Sequence, residues 1–142
     1  MSKELPQKYE LLSGANLAYI GDAYYELQIR KYLLECKITK SNELKNLSVK
    51  YVSAHAHHII CEKIKDQFTE HEMEIFKRGR NGAHHNYRKN LNYAEYNDST
   101  GFEAIVGYLF LKQDFERLNE IICLSIKAIE ESEQWLYMVK IQ

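Results

Sequence analysis

The sequence predicts an all-α protein, and three observations carry that prediction. Only one proline and six glycines interrupt 142 residues. No segment alternates apolar and polar residues with the period of two that a half-buried strand requires. Two long stretches, from about 15 to 35 and from 99 to 112, are helix-like and apolar on nearly all sides. That is the pattern of helices buried in a core. A chain of this length is expected to build one core, and so a single domain over 1–142.

The elements follow in order. Residues 1–12 read as a lead-in, since Pro6 discourages an early helix. Ser13-Gly14 starts the first long helix, with Asn16 as an alternative cap, and Glu35-Cys36-Lys37 closes it. Ser41 or Asn42 is expected to cap a helical segment from Glu43 to about Gln67, broken between Ser48 and Ser53. Its buried stripe is Val52, Ala56, Ile59, Ile60 and Ile64. Thr69 and Glu72 have capping-box spacing and open a short helix through Met73, Ile75 and Phe76. Periodicity then lapses, and residues 81–98 read as a basic loop. Asp98 or Ser99 is expected to cap the next helix. Asp114 caps an amphipathic helix whose inner side is Leu118, Ile121, Ile122, Ile126 and Ile129. Residues 131–142 form a tail, with an apolar run from Trp135 to Val139 that suits either the core or a partner.

A formal net charge of −1 and a pI near 6.6 exclude a globally basic polyanion binder, so any such surface must be local. Lys77 to Asn90 is that local surface: Lys77, Arg78, Arg80, Arg88 and Lys89 with His84 and His85, and no acid. Cations of this kind neutralise phosphates, while Asn81 and the histidines supply hydrogen bonds to backbone or sugar. A merely solvated loop has the same composition. Three dispersed cysteines (Cys36, Cys61, Cys123) match no metal spacing and read as free thiols of a reducing cytosol. The polar N-terminus carries no signal-peptide pattern, and no apolar run nears the roughly 18–20 residues that span a bilayer. A cytoplasmic protein without a membrane partner is expected.

Two acids stand out. In the first long helix Leu17, Ile20, Tyr24, Leu27 and Leu34 line one face, and Asp22 falls among Ala18, Ile29 and Leu33 on the other. In the second stretch Glu103 lies with Val106, Gly107 and Phe110. An ionised carboxylate on an apolar face must be paired or coordinate a metal. Gly21 and Gly107 beside the two acids would let the helix backbones approach closely or leave room for a ligand. A shared divalent cation and a basic partner from elsewhere both satisfy the acids, and spacing alone does not choose between them. Glu26, one turn from Asp22, suits an outer-shell role or an ion pair with Arg30. His55, His57 and His58 lack a Cys, Asp or third His at ligand spacing and read as a polar helix surface.

Tyr19-Ile20-Gly21-Asp22-Ala23, Lys77-Arg78-Gly79-Arg80-Asn81 and Ser99-Thr100-Gly101-Phe102-Glu103-Ala104 occur in the order seen in the ribonuclease III family. Leu17 to Ala23 resembles that family's "LEFLGDA" helix, and Glu103 to Leu111 its "EALIGAxFL" helix. The likeness is closest to the Mini-III subfamily, a catalytic domain without a double-stranded-RNA-binding domain. The resemblance implies an all-α endonuclease domain that pairs as a two-fold homodimer on double-stranded RNA. Asp22 and Glu103 would be catalytic and would hold Mg²⁺, with Mn²⁺ as a substitute. Hydrolysis would leave a 5′-phosphate and a 3′-hydroxyl. The implied substrate is the precursor of 23S ribosomal RNA, with a ribosomal protein as a further partner, and Tyr19 would reach across the dimer interface. RNA contacts fall to Lys77, Arg78, Arg80, Asn81, His84, His85, Arg88 and Lys89. The pattern also departs from the family: Ala15, Ala18 and Thr100 stand where ribonuclease III carries acids, a reduction shared by Mini-III, and Thr100 either orders a metal-bound water through its hydroxyl or is only a first-turn helix residue. With half the acids gone, a non-catalytic RNA-binding or ribosome-assembly protein on the same fold is the rival reading. A helical protein-interaction domain is the third.

Overall fold

A computed structural model describes residues 3–83 and 92–132. Among them every regular element is helical: α1 (Gly14–Glu35), α2 (Ser41–Val52), α3 (Ala54–Ile64), α4 (Glu70–Asn81), α5 (Tyr93–Lys112) and α6 (Phe115–Glu130). Single 3-10 turns lie at Tyr9–Leu11 and Lys65–Gln67. The apolar tail from Trp135, and the histidines and cations at 84–89, fall outside the described residues.

Local chemistry sets most of the boundaries. Ser13 accepts from the Asn16 amide and starts α1. Ser53, extended in backbone, ends α2 and accepts from Ala56 N to start α3, which places the expected break. Thr69 and Glu72 form both bonds of the capping box. Asp114 accepts from Arg117 N at the head of α6. Two expected caps fail. Lys40 occupies the N-cap of α2 without a side-chain bond, so Ser41 and Asn42 sit inside its first turn. Asn92, accepting from the Ala94 and Glu95 amides, caps α5, so Asp98 and Ser99 lie two turns inside it. Helix therefore covers Asn81 and residues 93–98 of the stretch expected to be loop. The polar opening turns of α5 hide its helicity from sequence, because their partners lie on α3, about forty residues away.

α5 is the central helix. Eleven of its twenty residues are buried, and α1, α3 and α4 pack around it. α1 corrects the apolar-all-round expectation. Leu17, Ala18, Gly21, Tyr25, Ile29 and Leu33 face the core, whereas Leu27 and Leu34 are exposed and Tyr19 is 84% exposed.

One ion pair locks α6 to α4. Arg117 holds the buried Glu72 with two bonds of 2.8 Å, and also donates to Glu120 and to the Gln67 carbonyl. Burial pushes the Glu72 carboxyl up, but its bonds to Arg117 and Thr69 outweigh that and hold it below its ordinary 4.5. This stabilisation is therefore present above pH 4.5 and is lost as pH falls through the lower folded-state value. Arg117→Ala is expected to cost about 3–5 kcal/mol, because a buried carboxylate loses its cation. Urea unfolding at pH 7 measures the loss, and the gap from wild type should narrow as Glu72 becomes protonated in acid.

Candidate functional site

α1 crosses α5 at two glycines. A Cβ on Gly21 would lie 1.8 Å from the Glu103 carbonyl oxygen, and one on Gly107 would lie 1.9 Å from the Leu17 carbonyl oxygen. Only glycine permits backbones this close. The crossing sets Asp22, next to Gly21, beside Glu103, one turn before Gly107. Both carboxyls line one open pocket, whose other described walls are Ala15, Ala18, Tyr19, Gly82, Ala83, Tyr96 and Thr100.

The two acids differ in environment. Asp22 is exposed at the pocket mouth, not enclosed among apolar residues as its helix pattern suggested. Glu103 is deeper. Burial, and then the Asp22 carboxyl within hydrogen-bonding reach, push the Glu103 carboxyl up to about 10, against the smaller opposing effect of the Ser99 hydroxyl. Two carboxylates this close cannot both ionise cheaply without a counter-charge. Among the described lining residues there is no Arg or Lys to supply one. A hard or borderline divalent cation, bound through oxygen, fits that donor set.

Behind Glu103 stands a histidine that the sequence placed on a polar surface. His57 is 1% exposed; its ring lies against Tyr25 and Phe102, with centroids 5.2 and 4.9 Å away. His57 Nδ1 and the Ser99 hydroxyl are 2.7 Å apart. Burial lowers its pKa to about 4 in spite of the Asp22 charge, so the ring is neutral at pH 7. The signal was in the spacing: His57, Ile60, Cys61 and Ile64 form a helical stripe, and all four are buried. His55 and His58 are also engaged, by Glu95 at 2.7 Å and by Asp98 at 2.8 Å.

The remaining candidates separate. Thr100 lines the pocket, and its hydroxyl donates to the Tyr96 carbonyl. Glu26 is not brought to the pair; it meets Arg30 at 3.3 Å and lines a groove between α1 and α2. Tyr19 projects from the pocket rim. Lys77 and Asn81 are exposed at the end of α4. Arg78 donates to the Glu10 and Leu12 carbonyls, and Arg80 donates to Asp98 at 2.8 Å. Those two guanidinium groups tie the structure together, which a run of cations in sequence does not reveal.

An all-helical domain with an acid pair at the crossing of its two central helices defines a class. The Ribonuclease III domain model matches residues 15–114, and the chain belongs to the ribonuclease III family. Its relatives narrow the class to proteins named Mini-ribonuclease 3. The chain is 41% identical over 128 residues to that of Enterococcus faecalis, covering 89% of this chain and 97% of the relative. It is 42% identical over 122 residues to that of Streptococcus pneumoniae, covering 84% and 95%. For Staphylococcus aureus the figures are 35% over 133 residues, 92% and 99%. A crystal structure of a Fusobacterium nucleatum protein superposes with a TM-score of 0.76 at 31% identity, over 85% of this chain and 97% of that one.

Proposed function

We propose that this protein is a divalent-cation-dependent endoribonuclease acting on double-stranded RNA, with Asp22 and Glu103 as the catalytic pair that holds the cation. The observation that carries the reading is the pair itself: two adjacent carboxyls, one pushed toward neutrality by burial, with no basic residue among the described lining residues. Mg²⁺ is the natural occupant, with Mn²⁺ as a substitute. When bound, the cation supplies Lewis acidity at the scissile phosphate. The Ser99 hydroxyl, itself 2.7 Å from Nδ1 of the neutral His57, holds the buried side of Glu103. The name carried by the relatives, Mini-ribonuclease 3, supports the reaction class. The finer assignments are 5′-phosphate and 3′-hydroxyl ends and a role in maturing the precursor of 23S ribosomal RNA.

Lys77 and Asn81, with His84, His85, Arg88 and Lys89 beyond the described residues, grip the duplex. Arg80, partly exposed while paired with Asp98, adds positive charge to that surface from where it stands. Arg78, committed to two carbonyls, positions α4. Two copies pair through the face that carries Tyr19, so that two pockets address two strands; the exposure of Tyr19 beside Asp22 supports that reading. No described helix is long and apolar enough to cross a membrane.

Incubation of the protein with fully paired RNA and Mg²⁺ or Mn²⁺ tests the reading. Cleavage that stops on chelation, and stops in Asp22→Asn while RNA binding persists, is the expected result. Binding without metal-dependent cleavage would instead assign the chain a non-catalytic RNA-binding role.

A further inference from the structure

One histidine of α3, His58, belongs to a cluster of candidate cation ligands away from the acid pair. His58 and Glu62 are one turn apart on α3, and Asp98 faces them from α5. One ligand atom from each lies within 4.8 Å of the other two, and His58 Nδ1 is 2.8 Å from the Asp98 carboxylate. We propose that His58, Glu62 and Asp98 bind a borderline transition ion of the Zn²⁺ type, distinct from the cation assigned to Asp22 and Glu103.

The distances suit such an ion. Tetrahedral ligands about 2.1 Å from Zn²⁺ stand roughly 3.4 Å from one another, inside the range already present here. Small rotations of side chains therefore complete the site. One imidazole nitrogen with two carboxylates selects Zn²⁺, or a neighbouring transition ion, over Mg²⁺, which takes oxygen ligands and keeps its waters.

The surroundings support the same reading. Arg80 Nε holds the second oxygen of Asp98 at 2.8 Å, which fixes the carboxylate with its other oxygen toward His58. An outer donor on a ligating carboxylate is the usual support of a metal site. The site is reachable from solvent: the side chains of His58, Glu62 and Asp98 are 30%, 55% and 13% exposed. Glu62 has a competing contact, Lys65 at 3.6 Å, but it is exposed and weak. An ion there would clamp α3 onto α5, the helix that carries Glu103.

The test is a Zn²⁺ titration of the full chain in millimolar Mg²⁺, by chelator competition and thermal unfolding. Cys36→Ser and Cys123→Ser are present throughout, since those exposed thiols would bind Zn²⁺ themselves. In that background saturation is expected to raise Tm by about 5 °C at hundredfold excess over Kd. Glu62→Gln, at an exposed position, should weaken binding at least tenfold, and His58→Ala should remove one bound equivalent. The double variant Asp22→Asn/Glu103→Gln should keep it. Unchanged binding in Glu62→Gln and His58→Ala would show an ion-pair network only. Loss of that equivalent in the Asp22→Asn/Glu103→Gln protein would place the ion at the acid pair. Either result overturns the proposal.

Discussion

Glu103→Gln is expected to abolish cleavage and, in the same molecule, to stabilise the cation-free fold. The first effect follows from losing one of two ligands and half the negative charge that holds the cation. If a few kcal/mol of transition-state stabilisation depend on it, turnover falls about 10³-fold. The second effect follows from burial. The Glu103 carboxyl is raised from 4.5 to about 10 by desolvation and by Asp22. A group raised in this way contributes its stability below pH 4.5, and the contribution is lost as pH climbs toward 10. Wild-type protein without cation should therefore weaken across that window, and Glu103→Gln should weaken less. At pH 8 the variant should be at least about 1 kcal/mol more stable, because wild type must take up a proton at Glu103 on folding and an amide need not. Added Mg²⁺ should stabilise wild type and leave the variant unmoved. Urea titrations at pH 5 and pH 8, with and without Mg²⁺, make the comparison. Equal pH slopes in the two proteins would contradict it.

Gly21→Ala should have the largest effect on the fold. Alanine gains about 1 kcal/mol of helix propensity over glycine. Here its Cβ would sit 1.8 Å from the Glu103 carbonyl oxygen and 2.6 Å from Gly107 N, both backbone atoms of the central helix. Neither can rotate aside, so α1 must lift away from α5. The expected loss is about 4 kcal/mol or more, the upper end for overpacked cores and point mutants generally. The displacement would also separate Asp22 from Glu103. A fall in Tm of 10 °C or more, with Mg²⁺ no longer stabilising, is the outcome to look for. A variant that unfolds like wild type would mean that the helices do not cross so closely.

How much of this was legible depended on the range of the interaction involved. Helix class, the Thr69–Glu72 and Asp114 caps and the break at Ser53 rest on contacts within four residues, and sequence carries such contacts. The acid pair was partly legible: the glycines beside Asp22 and Glu103 allowed either a close crossing or room for a ligand, and the crossing is what forms. What periodicity could not show was direction. α1 is apolar on most sides, and only tertiary packing decides that Leu33 is buried while Leu27 and Tyr19 face solvent. Asp22 follows the same rule and opens to the pocket mouth. The start of α5 was missed for a related reason: Glu95, Asp98 and Ser99 look like loop residues until His55, His58 and His57 are set opposite them. Arg78 and Arg80 read as free cations for want of the same long-range information.

The central claim is that Asp22 and Glu103 meet around one divalent cation. Crystals soaked in Mn²⁺ and measured at its absorption edge test this most directly. An anomalous peak is expected within coordination distance of both carboxylates, and it should be absent from Glu103→Gln crystals. A pocket without such a peak at saturating Mn²⁺, or with a lysine or arginine folded between the two acids, would contradict it.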